Sequence, residues 1–118
     1  MNFDQAIKSH AEWKAKFHST IKAKQTVDAV AIRQDDCCPL GRWLHGEGRV
    51  PHGGKASYAK LIARHVAFHQ SAGRVADAIN AKAFCQAEAL IGPWSEYSSV
   101  SAEVAAAIRG LELEIKSS

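Results

Sequence analysis

The sequence contains only three prolines and one methionine, and it has no long apolar run, no cluster of lysine and arginine, no internal repeat and no low-complexity tract. Without a stretch of ~18 apolar residues there is no membrane span to read, and Met1, Asn2, Phe3 and Asp4 begin neither a basic nor an apolar segment of the signal-peptide kind. A cytoplasmic location without membrane insertion is therefore expected. Fifteen Lys and Arg against twelve Asp and Glu leave a charge of only +3, too small and too dispersed to imply a nucleic-acid partner. Cysteine is scarce and odd in number, at positions 37, 38 and 85. Because two of the three are adjacent, they make a poor disulfide framework, and reduced thiols are expected.

What is present is ordinary globular material, 47% hydrophobic and 23% charged, in a length that suits one domain over residues 1–118. Phe3, Ala6, Ile7, His10, Trp13, Phe17 and Ile21 keep the i, i+3, i+4, i+7 spacing of a helix face, and Asn2 or Asp4 can cap its start. Gln25 to Asp36 reads as a loop with a brief extended piece. Pro39 suits the first turn of a two-turn helix ending near Gly46 or Gly48, and the glycine-rich stretch from Gly46 to Gly54 reads as a loop. A continuous stripe runs from Tyr58 to Ile79, with Asn80 able to end it. Phe84, Ala87, Leu90 and Ile91 mark a shorter helix before Gly92 and Pro93, and Tyr97, Val100, Val104, Ile108, Leu111 and Ile115 mark a last long one. The expected fold is an all-α antiparallel bundle of about four long helices plus a short cysteine-bearing helix.

Three of the six histidines fall on apolar stripes. His65 and His69 lie one turn apart on one face, and His10 sits between Ile7 and Trp13. Any one of them could be a core histidine bonded to a carbonyl or carboxylate. Three unpaired buried imidazoles, however, would cost a few kcal/mol each, whereas one divalent ion pairs all three at once. Cys38, at a helix start whose amides favour a thiolate, offers a fourth ligand. Three imidazoles and one thiolate suit tetrahedral Zn²⁺; hard cations would want oxygen, and no axial thioether marks a blue-copper site.

Three motifs occur in order: His10-x-x-Trp13; Cys38-x-x-Gly41-x-Trp43-Leu44 followed by Gly48; and His65-x-x-Phe68-His69. With them the chain resembles the chemoreceptor zinc-binding (CZB) domain family over nearly its whole length. The resemblance implies zinc ligands His10, Cys38, His65 and His69, a helical bundle, and sensing of zinc or oxidants for a chemoreceptor or diguanylate cyclase output. It also implies a homodimer, which the last apolar stripe could support. The chain leaves no room for an output domain, so the signal is expected to pass to a separate signalling protein.

Other candidates are weaker. Cys37 is an alternative to Cys38, Cys85 beside Phe84 reads as a core or interface residue, and His18, His45 and His52 read as solvated. Trp13 and Trp43 read as packing, Gly41 as a point of close helix approach, and Asp35 or Asp36 as partners of a ring N–H. The leading functional expectation is a regulatory zinc sensor without enzymatic activity. The alternatives are a small zinc hydrolase or lyase with a three-histidine, water-bearing site, an iron site that binds oxygen, and a purely structural zinc module. Acid is expected to release the metal.

Overall fold

The computed structural model describes residues 1–117, and among these there are seven helices and no strand. They are α1 (Phe3–Ala23), α2 (Ala29–Arg33), α3 (Pro39–His45), α4 (Arg49–His52), α5 (Ala56–Asn80), α6 (Phe84–Leu90) and α7 (Glu96–Ser117). The all-α expectation holds. Three helices are long rather than about four, because Gly92 and Pro93 follow α6 before it can extend.

Local chemistry explains the boundaries. Asn2 caps α1, its side chain accepting from the Gln5 amide at 3.0 Å. Lys24 ends that helix in the left-handed region, φ 56°, with its amide turned back to the Ile21 carbonyl. In α3, Cys38 is the N-cap and Pro39 the first helical residue, as its missing N–H allows.

The three long helices pack by their apolar stripes. Phe17 and Ile21 from α1, Leu61, Phe68, Ala72, Val75 and Ile79 from α5, and Val104, Ile108 and Leu111 from α7 are all buried together. Direction follows from the cross-links. Arg109 of α7 meets Asp4 at one end of α1 (2.6 Å), while Tyr97 packs edge-on to Phe17 near the other. Likewise Ser57 bonds Glu114, Arg64 meets Glu103 and Arg74 meets Glu96, so α7 runs antiparallel to α5 as well. It follows that α1 and α5 point the same way. The antiparallel pattern therefore does not extend to this pair, since segment 24–55 carries the chain back and brings α2, α3 and α4 with it.

That returning segment is where the sequence reading needs correction. Gln25 to Asp36 is not extended: it contains α2, started by Asp28, whose carboxylate accepts from the Ala31 amide at 3.1 Å. Five residues are too few to show helical periodicity, and the alternation of Val27, Ala29 and Ile32 mimicked a strand. The Gly46–Gly54 stretch likewise holds one helical turn, α4. Two ties dock the segment on α5. The Asn80 side chain both donates to and accepts from the Val27 backbone at 2.8 Å, and Arg33 reaches Asp77 at 2.5 Å. Asn80 is thus the last residue of α5 and also a clasp for the chain leaving α1. On the other side, the Tyr58 hydroxyl donates to the Leu44 carbonyl and ties α3 to α5.

Candidate metal centre

His10 comes from α1, Cys38 from the start of α3, and His65 and His69 from successive turns of α5. The i, i+4 spacing on α5 sets its two imidazoles one turn apart and edge to face, and the parallel run of α1 brings His10 against them. The three histidines are buried, at 4%, 0% and 1% exposure, and Cys38 is half-buried. One ligand-capable atom from each of the four lies within 4.8 Å of every other.

The ring orientations are set by backbone carbonyls. His10 Nδ1 lies 2.9 Å from the Ala6 carbonyl and His69 Nδ1 lies 2.8 Å from the Ile32 carbonyl. A carbonyl can only accept, so both Nδ1 atoms carry the proton and both Nε2 atoms present bare lone pairs. These lone pairs converge with the third ring. His65 Nε2 is 3.1 Å from His10 Nε2 and 3.1 Å from His69 Nε2, while His65 Nδ1 is buried without a partner. Cys38 Sγ lies 3.3 Å from His65 Nε2, 3.6 Å from His69 Nε2 and 4.0 Å from His10 Nε2.

Burial sets the protonation states. It holds His10, His69 and above all His65 below the usual imidazole range, His65 to about 2, with the neighbouring His69 and His10 adding to the effect at His65. The three rings are therefore neutral. At Cys38 the sequence reading expected the helix start to favour a thiolate. The Gly41 amide does donate to Sγ at 3.3 Å, yet burial outweighs it and pushes the thiol up in the absence of a cation. Without a metal, the His65 proton on Nε2 and the Cys38 thiol proton can each donate within the cluster, but two protons cannot satisfy all the lone pairs that converge there.

A divalent cation can. With metal bonds of ~2.0–2.1 Å to nitrogen and ~2.3 Å to sulfur, a tetrahedron has N–N edges of about 3.3 Å and N–S edges of about 3.5 Å. Four of the six edges, at 3.1, 3.1, 3.3 and 3.6 Å, fall around these values and the Cys38–His10 edge is longer at 4.0 Å; the donor set of neutral nitrogen and sulfur suits Zn²⁺. No carboxylate joins this cluster among the described residues, which leaves the iron reading without the ligands it requires.

The other candidates lie elsewhere. Cys37 is exposed, with Sγ 3.0 Å from Gln34 Oε1. Cys85 is also exposed rather than in the core, because α6 turns Ala87 inward instead. His18 pairs with Glu88 at 3.3 Å and His45 with Asp35 at 2.8 Å, both histidines being exposed. His52 is half-buried against Trp43 rather than solvated. Asp35 thus serves His45, and the partners of the cluster's rings are the Ala6 and Ile32 carbonyls. Sequence reasoning missed both, since a carbonyl carries no residue signature; a correctly placed α2 would have pointed to Ile32.

The spacing of the cysteine motif has a steric basis. A Cβ on Gly41 would sit 1.7 Å from the Asp35 carbonyl oxygen, and one on Gly48 would sit 2.7 Å from the Trp43 ring. The close approach at Gly41 is thus to a loop backbone rather than to another helix. Trp43 packs between Phe3 and Tyr58, and Trp13 sets its edge to His69 and Phe68, both as packing.

In comparison with known families, residues 10–76 fit the family model described as chemoreceptor zinc-binding domain, a span that includes all four clustered side chains and more than half of the chain. No curated protein and no solved structure matched the chain.

Proposed function

The chain belongs to the chemoreceptor zinc-binding domain family, and from that premise we propose that it is a regulatory zinc sensor in which His10, Cys38, His65 and His69 ligate the ion. The single observation that carries this reading is the convergence of two bare Nε2 lone pairs, each fixed by a carbonyl on the far side of its ring, with a third buried imidazole and a sulfur. When bound, zinc supplies a positive charge that the four donors share and that stabilises the Cys38 thiolate.

The chain's own residues do the rest. Donors from α1, α3 and α5 are drawn to one point, so occupancy adds a clamp across three segments beyond their packing and the Tyr58–Leu44 hydrogen bond. Loss of the metal, or oxidation of Cys38, frees the start of α3 and with it the Asp35 loop. That movement is the signal, read by a separate chemotaxis receptor or diguanylate cyclase; the α7 stripe that was expected to support a homodimer is instead buried within the chain, so a homodimer would form on another surface. Among the described residues no helix is long and apolar enough to cross a membrane, which fits a cytoplasmic setting. A hydrolase or lyase reading is disfavoured because sulfur takes the position that a catalytic water needs and, among the described residues, no carboxylate joins the four clustered side chains as a base.

The test is metal analysis of protein purified without added metal, on the native chain and on Cys38→Ala and Cys37→Ala. The expected result is one zinc per chain in the native protein and in Cys37→Ala, with affinity lowered by more than ~100-fold in Cys38→Ala, beyond what loss of an outer partner of a ligand costs. Equal retention in both variants would defeat the ligand assignment.

A further inference from the structure

Cys37 has no role in the cluster, yet it lies next to a proposed ligand. Its sulfur is exposed and tethered only by side chains, 3.0 Å from Gln34 Oε1 and 3.6 Å from Asp36 Oδ1. A hollow of about 210 Å³ is lined by both Cys37 and Cys38, together with Gln34, Ile32, Trp13 and His69. Two thiols adjacent in sequence therefore open on one space, and that space leads from solvent to the Cys38 sulfur.

We propose that Cys37 and Cys38 form a dithiol couple in which Cys37 resolves oxidation of Cys38 by a hydroperoxide. The Cys38 sulfur attacks the terminal oxygen of ROOH: an S–O bond forms, the O–O bond breaks, and ROH leaves, giving the sulfenic acid. The Cys37 sulfur then attacks the Cys38 sulfur. An S–S bond forms, the S–O bond breaks, and the departing hydroxide takes the Cys37 proton as water. Overall, two thiols lose two protons and two electrons, and the hydroperoxide is reduced to ROH and water.

Geometry gives this couple its character. Adjacent Cα atoms are about 3.8 Å apart across a trans peptide, below the roughly 4.4–6.8 Å that disulfides usually span. A bridge between neighbours is therefore strained and readily reduced, so it resets instead of locking. Its formation also protects Cys38 from irreversible oxidation to the sulfinic acid. The consequence for metal rests on the ligand reading above, because a disulfide sulfur is no longer a thiolate donor.

The experiment uses the full chain in a Cys85→Ser background, which removes the third thiol, with and without Cys37→Ser. Zinc-loaded protein receives a several-fold excess of hydrogen peroxide, enough to carry an unprotected sulfenic acid on to the sulfinic acid; intact mass, peptide mapping and zinc release are measured, followed by reduced glutathione and renewed zinc uptake. With Cys37 present, the chain should lose two hydrogens, map to a Cys37–Cys38 bridge, release its zinc and regain it fully. Cys37→Ser should bind zinc normally beforehand, then gain oxygen on Cys38 and lose most of the recovery. Oxygen on Cys38 beside a free Cys37, a bridge between two chains, or full recovery in Cys37→Ser each overturns the couple while leaving the ligand reading standing. Conversely, a Cys37–Cys38 bridge in protein that never held zinc sinks the ligand reading and spares the couple.

Discussion

Gly41→Ala offers a steric test of how the site is held. The new Cβ would meet the Asp35 carbonyl oxygen at 1.7 Å, where real Cβ contacts keep at least 3.0 Å, so the two backbones must part by about 1.3 Å. One of two things must then move. If the start of α3 moves, Cys38 moves with it, because the Gly41 amide and the Cys38 sulfur are bonded at 3.3 Å. If the Asp35 loop moves instead, it pulls on α2, whose Ile32 carbonyl orients His69. Zinc–ligand distances tolerate shifts of only ~0.2 Å, so either outcome degrades the site. Overpacking of this kind costs about 1–3 kcal/mol, or roughly 4–12 °C in melting temperature for a chain of this size. Zinc affinity should fall more than ~10-fold, as it does when the partner of a ligand is lost. Competition with a chromophoric chelator and thermal melts with and without zinc would measure both. Gly110→Ala is the control: nothing lies within 4 Å of its Cβ, and alanine in a helix interior should add about 0.5–1 kcal/mol. If Gly41→Ala kept native zinc affinity and melted like the native chain, the close contact would not be what positions Cys38.

Acidification probes the buried imidazoles. Burial lowers the pKa of His10, His65 and His69 in the folded chain, so as pH falls below ~6.5 the unfolded chain takes up protons that the folded chain refuses. Stability should be level above that pH and fall below it, by about 1.4 kcal/mol per pH unit from His65, whose folded value is held to about 2, with His10 and His69 adding to the fall until pH reaches their own lowered values. Metal-free protein should therefore melt progressively lower from pH 7 to 5, zinc should steepen the loss by adding proton competition for its ligands, and His65→Gln should flatten the curve. A pH-independent melt over that range would contradict the assignment of neutral rings. Phe68→Ala should cost about 3–5 kcal/mol and weaken zinc retention in the same chelator assay, because the fully buried Phe68 ring packs on His10 at 5.1 Å and on His69 at 5.3 Å. Stability lost without any change in zinc affinity would show that the rings are held by their carbonyls alone.

Much of the site was legible before any coordinates. His65 and His69 fall on the α5 stripe, and His10 on that of α1, because helical period alone decides which residues share a buried face. Buried imidazoles need partners, which pointed to a shared ion, and the Cys38 motif supplied the fourth donor. The shorter features were not legible. Helix α2 has five residues and no stripe to read, Cys85 looked apolar by its neighbour Phe84, and His52 gave no hint that Trp43 would cover it.

Residue pattern alone therefore determined the helical class, the inward faces of the long helices and the kinds of atoms available to a metal, since all of these depend on spacing along the chain. The parallel course of α1 and α5, the contact of Gly41 with Asp35, the balance between burial and amide donation at the Cys38 thiol, and the carbonyls that turn the His10 and His69 Nε2 atoms toward a common point were decided only in the tertiary structure. These depend on how segments far apart in sequence meet, and on backbone groups that every residue carries alike.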